Sequence, residues 1–342
     1  MPQPPSHPPA SDHTADAKGS RYPVVVCGSN YGRVYDEALW RAPERFPIVA
    51  VLGRGSERSR RHAKHLGVPL CTRLGELPPE VRLACAAMPA SADAIVLELL
   101  ARGIHVLCEH PRTPAFLADA YAVADRSGVA FDVNGHFSDL PAARVLAERS
   151  HRALAAGPLR FVELVAQERS LYAALDVLAS ALPGIEKFEV ERTADSQGFV
   201  SLEGEMAAGT ASAARAGLRI QVPDAQLADG SAGYLVDIRL HLGFDTGVLS
   251  LSSIAGPVVW NANLAVAAVG GAPLWQIDGA APSAVDLRDA RATANLEAVL
   301  RLTRLAASAG GTDRDHERAE RRRHAYAVSR VWEALSSRLR RP

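Results

Sequence analysis

The stretch Tyr22-Pro23-Val24-Val25-Val26-Cys27-Gly28-Ser29-Asn30-Tyr31-Gly32 decides the fold, because a short apolar run closed by a glycine turn reads as a buried strand feeding a helix. The helix reads from Tyr31 to Arg41, and the same alternation continues outward. Ile48 to Gly53 is a second strand, Ser56 to Leu66 a helix ended by Gly67, Pro69 to Thr72 a short third strand, and Leu83 to Met88 a fourth. Ser91 to Arg102 is an amphipathic helix stopped by Gly103, and Ile104 to Cys108 is a fifth strand. Thr113 to Ser127 is a helix ended by Gly128, and Ala130 to Asn134 is a sixth strand. Strands alternating with helices of crossover length predict a parallel α/β sheet wound on both faces.

Beyond a linking helix at Pro141 to Ala156 the pattern changes. Strands at Leu159 to Gln167, Phe188 to Arg192, Phe199 to Glu205, Leu218 to Val222, Leu235 to Phe244 and Val248 to Ile254 follow one another with turns between. They predict a C-terminal α/β domain with a large, mainly antiparallel or mixed sheet, one helix near Ser170 to Leu182, and a long helix at the end. The chain thus divides into a disordered tail (1–20), a Rossmann domain (21–140) and a substrate and dimerisation domain (141–342), with no internal repeat.

Composition narrows the function. The 342 residues carry 38 Lys+Arg against 38 Asp+Glu, so a whole-molecule nucleic-acid or anionic-membrane binder is disfavoured and any anion site is local. Lysine occurs only at Lys18, Lys64 and Lys187, which leaves few positions for lysine chemistry. Cys27, Cys71, Cys85 and Cys108 stand singly in apolar surroundings and read as reduced core residues, and no metal site is expected. The first twenty residues lack the apolar core of a signal peptide. Thr246 to Ile277 is uncharged but broken by glycine, proline and asparagine, which favours buried strands or a subunit contact over a membrane span. The expected location is cytoplasmic.

Gly28-Ser29-Asn30-Tyr31-Gly32 lies where a dinucleotide's pyrophosphate meets free backbone N–H groups, although Asn30 replaces the second glycine of GxGxxG. A purely structural turn is the competing reading. After the second strand, where NAD enzymes place an acid, this chain has Gly53-Arg54-Gly55-Ser56 and then Arg58, Arg60 and Arg61. Arg54, Ser56 and Arg58 suit a 2′-phosphate, so NADPH is expected over NADH; a solvated basic helix start is the alternative, most natural for Arg60 and Arg61. Met88, Glu109 and Asn134, at the ends of the fourth, fifth and sixth strands, are further expected cofactor contacts.

Glu109-His110-Pro111 follows the fifth strand, at the sheet edge where ligands of open α/β proteins bind. From here the chain resembles the Gfo/Idh/MocA oxidoreductases, which join a Rossmann domain to a second domain built on a broad sheet. Their usual motif at this turn is Glu-Lys-Pro, followed in the second domain by an Asp and His pair on one helix. Here His110 stands for the lysine, and the helix from Ser170 to Ser180 contains Asp176 but no histidine. The chain is most similar to the thiazolinyl imine reductase branch of siderophore biosynthesis, of the yersiniabactin and pyochelin type. The likeness is carried by VVVCGSNYGRVYDEAL (Val24 to Leu39), LGRGSERSR (Leu52 to Arg60), ARGIHVLCEHP (Ala101 to Pro111), DVNGHF (Asp132 to Phe137) and AVSRVWEALS (Ala327 to Ser336).

That resemblance implies NADPH-dependent reduction of a thiazoline C=N bond to a thiazolidine, on an intermediate tethered to a carrier domain of a nonribosomal peptide synthetase. His110 is the first choice for proton donor, with a structural histidine as its alternative. His136 is a second candidate, or a supporting residue. Phe137 stands where members of the branch offer a tyrosine. Tyr172 and Asp176 line the substrate pocket or, on the other reading, the core. Glu317 to Arg323 reads as a solvated charged face rather than a carrier docking site. Trp260 and Trp275 are placed for a homodimer contact. The competing functions are another Gfo/Idh/MocA-type NADP-dependent oxidoreductase acting on a free carbonyl or cyclitol, and a catalytically silent NADP-binding sensor.

Overall fold

The computed structural model describes residues 20–196, 198–207, 213–222, 237–265, 273–279, 281–306 and 312–339. The proposed tail, apart from its last residue, and the beginning of the strand read from Leu235 lie outside them. Six parallel strands form the first sheet: β1 (Val24–Cys27), β2 (Ile48–Leu52), β3 (Leu70–Cys71), β4 (Leu83–Ala86), β5 (His105–Glu109) and β6 (Phe131–Asn134), in the order β3-β2-β1-β4-β5-β6. Every residue of β1 and β4 is buried, as central strands covered on both faces require. The crossovers are α1 (Val34–Leu39), α2 (Glu57–Leu66), α3 (Asp93–Ala101) and α4 (Pro114–Ser127). Gly67 and Gly128 end α2 and α4 in the left-handed conformation, which explains why glycine marks both stops.

Helix α5 (Pro141–Ala156) leads to the second sheet. Its strands are β7 (Leu159–Gln167), β8 (Phe188–Ser196), β9 (Phe199–Met206), β10 (Ala214–Gln221), β11 (Arg239–Phe244), β12 (Gly247–Leu251), β13 (Val258–Ala262) and β14 (Trp275–Asp278). Their order is β14-β13-β12-β11-β7-β10-β9-β8, antiparallel throughout except for the parallel β7–β10 pair. The described part of the uncharged stretch contains β12, β13 and most of β14. Of these β12 is almost wholly buried, whereas Trp275 and Ile277 of β14 are exposed.

Helix α6 (Leu171–Ala181) packs against α5, β7 and the last helix, and the described chain ends in two helices rather than one, α7 (Ala284–Ala306) and α8 (Thr312–Leu339). Helix α7 returns to the first sheet. Its Ala298, Val299, Leu302 and Leu305 share a core with Val24, Val26, Tyr35, Leu39, Leu83 and Leu107. Helix α8 lies against α4, α6 and β6 and so spans the junction. All four cysteines are buried free thiols. No helix among the described residues is long and apolar enough to cross a membrane.

Candidate active site

The site gathers at the carboxyl edge of the first sheet. Gly28 has φ +95°, and a Cβ there would lie 2.3 Å from the carbonyl oxygen of Ala87, so the turn after β1 sits directly on the backbone after β4. Asn30 has a negative φ of −95°, so it does not need the conformational freedom of the glycine it replaces. The helix behind the turn is shorter than expected: a 3-10 turn over Tyr31–Arg33, then the six residues of α1. After β2, a Cβ on Gly53 would meet Ser59 Cβ at 2.9 Å, which holds the start of α2 against the turn, and Gly55 has φ +74°. Ser56 is the N-cap of α2, its Oγ accepting from the Ser59 N–H at 3.3 Å. Arg54 and Arg58 are exposed and have no partner among the described residues, whereas Arg60 and Arg61 both approach Glu57 at 3.9 Å.

Glu109, the last residue of β5, is buried, and its Oε1 accepts from the hydroxyl of Tyr35 and, at 2.6 Å, from Asn134 Nδ2. Asn134 is in turn 2.8 Å from Asn295 Oδ1 of α7. Burial pushes the Glu109 carboxyl up to about 7 in spite of these donors. Beside it, Arg112 is buried and ties the turn down, donating to the carbonyl of Met88 at 2.6 Å and lying 3.1 Å from Cys108 Sγ.

His110 lies flat on Tyr172, with ring centroids 4.9 Å apart and an interplanar angle of 6°. Phe137 meets it edge-on at 6.0 Å and His136 stacks at 6.3 Å. Both ring nitrogens of His110 and the Nδ1 of His136 are buried without a hydrogen-bond partner. Burial lowers His110 to about 4 and His136 to about 3, so both rings are neutral near pH 7. His136 Nε2 is 3.2 Å from the Tyr31 hydroxyl, a phenol kept protonated by burial and by the Glu109 charge. One ligand-type atom from each of Glu109, His110 and His136 falls within 4.8 Å of the others.

The second domain supplies the floor. Tyr172 is buried, its hydroxyl 3.4 Å from Ser329 Oγ and its face under His110, so it supports the histidine. One turn along α6, Asp176 Oδ1 is 2.7 Å from His324 Nε2 of α8. Burial opposes the Asp176 charge, but the hydrogen bond and charge of His324, with Arg321, outweigh it and hold the carboxyl below its usual range. The expectation of a solvated face at Glu317 to Arg323 is corrected: Arg321 grips the fully buried Asp132, with Nη2 to Oδ2 at 3.0 Å, and Arg322 pairs with Asp125 over the Tyr121 ring. Tyr35, Arg112, Asn295, Arg321 and His324 belong to the site's support and escaped the sequence reading. Only Arg112, next to the Glu-His-Pro turn, had a local signal.

Residues 22–135 match the model of the Gfo/Idh/MocA oxidoreductase family, NAD-binding Rossmann fold. The match covers the first domain, about a third of the chain, and makes that domain similar to the cofactor domain of these oxidoreductases. Solved structures share the architecture of both domains. A dehydrogenase from Chromobacterium violaceum is 17% identical with a TM-score of 0.67, covering 93% of this chain and 95% of its own. Levoglucosan dehydrogenase, in complex with NADH and L-sorbose, is 12% identical with a TM-score of 0.66, covering 93% and 96%. A mutant 3-ketoreductase from Actinomadura kijaniata, in complex with TDP-benzene and NADP, is 14% identical with a TM-score of 0.66, covering 92% and 96%. No curated protein sequence matches the chain. At these identities the likeness to solved structures is one of fold. The first domain is thus similar to an NAD-binding Rossmann domain, and the turn where the resemblance leads one to expect lysine carries His110.

Proposed function

We propose that the chain is an NADPH-dependent imine reductase that converts a carrier-tethered thiazoline into a thiazolidine, with His110 as proton donor. The observation that carries this reading is His110 itself: an imidazole with two unpartnered, buried nitrogens at the carboxyl edge of the cofactor sheet, where the superfamily's lysine is absent. The sequence likeness to thiazolinyl imine reductases, strongest around the turns after β1, β2 and β5, supplies the substrate class.

The residues fit the cofactor. The close approach of Gly28 to Ala87 leaves a turn that no larger residue accommodates, and Arg54 presents an unpartnered guanidinium after β2, suited to a 2′-phosphate. Gly28 to Gly32, Gly53 and Arg54 would hold NADPH, with Ser56 occupied as a helix cap and the Met88 carbonyl as a partner of Arg112. Bound there, NADPH supplies the hydride equivalent that reduction of a C=N bond consumes. His110 supplies the accompanying proton: taken up from solvent, it makes the ring an imidazolium whose N–H donates to the thiazoline nitrogen as that atom gains electron density, which returns the ring to neutral. The Tyr172 face fixes the plane of the imidazole, and Phe137 and His136 exclude water from its flanks. The ionised Asp176 favours the cationic state through which His110 passes.

The intermediate arrives on the carrier domain of a synthetase, and a second copy of the chain covers Trp275 and Ile277 on β14. The cofactor assignment is tested by titration and by NADPH oxidation in the presence of carrier-bound thiazoline. Wild type should prefer NADPH, and Arg54→Ala should weaken NADPH about tenfold or more while leaving NADH unchanged. Equal affinity for both cofactors, unaltered by the substitution, would remove NADPH from the proposal.

A further inference from the structure

Asp176 is a buried carboxylate with its two oxygens in different settings. Oδ1 is held by His324 at 2.7 Å, while Oδ2 has no partner. Oδ2 lies against Gly135, where a Cβ would stand only 2.8 Å from it, so the free oxygen faces the loop that leads into His136. One turn earlier on the same helix, Tyr172 carries His110 on its face. His324 reaches Oδ1 from α8. It is half-buried and lines a cavity of about 620 Å³ together with Glu186, Glu320, Arg323 and Arg330. The Asp176–His324 hydrogen bond therefore links the helix that carries Tyr172 to a recess lined from α6 and α8.

We propose that His324 is a positioning residue for the reductase site, holding Asp176 ionised with its free oxygen toward the catalytic histidines, and that the recess behind it makes this position addressable from solvent. The inference rests on the reductase reading above. A buried carboxylate without its hydrogen-bonded partner reverts toward the neutral acid, because burial alone disfavours the charge. The charged or titratable groups that face Asp176 are His324 and Arg321 from α8, His110 after β5, and Tyr172 on α6, while His136 after β6 feels its charge. With His324 removed, Arg321 is still committed to Asp132, so it does not replace the lost bond.

The test uses the full-length protein with NADPH and carrier-bound thiazoline, comparing wild type, His324→Ala, His324→Gln and Asp176→Asn. His324→Ala should lower kcat about tenfold or more with NADPH affinity unchanged. The acid limb of its pH profile should move to higher pH, since Asp176 would then need a higher pH to ionise. Millimolar imidazole, entering through the recess, should restore turnover and raise the Tm of His324→Ala, with neither effect on wild type or on Asp176→Asn. His324→Gln, which still donates a hydrogen bond, should retain most of the activity. A His324→Ala variant with wild-type turnover and pH profile would overturn the proposal. So would a folded variant whose loss imidazole restores neither in turnover nor in Tm. Absence of reduction by wild type would instead count against the reductase reading, and the imidazole-dependent Tm would still decide whether His324 occupies a refillable, Asp176-linked position.

Discussion

His110 and Glu109 are adjacent in sequence and held in opposite ways. Burial lowers the imidazole to about 4 and raises the carboxyl to about 7. The linkage has a definite sign. Protonated Glu109 favours the folded state, so its contribution is fully present below its ordinary value of 4.5 and is lost as pH rises through about 7. Across that window the cost is about 1.4 kcal/mol per pH unit. Neutral His110 and His136 act the other way, losing stability as pH falls below 6.5 toward about 4 and 3. Glu109→Gln keeps an acceptor for Tyr35 and Asn134 but no charge. Its Tm relative to wild type should therefore rise between about pH 5 and about pH 8; a difference that is flat with pH would show that Glu109 carries no buried charge. The Glu-His-Pro turn made His110 legible in the sequence. The stacking on Tyr172 was not, because α6 carries enough apolar residues to be read as core throughout, and the partner ring lies 62 positions away.

At the scale of elements, α8 is where charge does structural work. Asp132 on β6 is fully buried, and Arg321 closes on it with two nitrogens while Arg301 of α7 stands 3.7 Å away. Removing one partner of a buried pair leaves an uncompensated charge, which costs about 3–5 kcal/mol, against about 1 kcal/mol or less for an exposed pair. Arg321→Ala should lower unfolding free energy by about that larger amount in urea titration; a loss of about 1 kcal/mol or less would mark Arg321 as a surface residue. The strands and crossovers of the first domain were legible because period, glycine stops and apolar runs agree there. In the arginine run they do not agree: local composition reads as a solvated face, and only the arrival of β6 beneath it buries Arg321. β13 and β14 fall in the stretch expected to hold buried strands but were given no bounds for a related reason, since runs of four or five residues between glycine and proline carry too little periodicity to separate strand from loop.

On the scale of the whole molecule, the chain crosses between its domains more than once. α7 follows the second sheet in sequence yet completes a layer of the first, and α8 brings His324 to Asp176 across 148 positions. The two-layer plan was readable from composition and order, whereas these returns were not, because no local pattern encodes which earlier strand a late helix covers. The exposed Trp275 and Ile277 on the end strand predict a dimer by sedimentation, and Trp275→Glu should shift it to monomer; a wild-type monomer at all working concentrations would remove that contact. The central claim concerns chemistry, and mass spectrometry of the carrier-bound thiazoline after incubation with NADPH addresses it most directly. The expected result is a gain of two hydrogens that requires this protein and NADPH and that is slowed about tenfold or more in His110→Ala. An unchanged mass under those conditions, or a gain that His110→Ala leaves at full rate, would contradict the account.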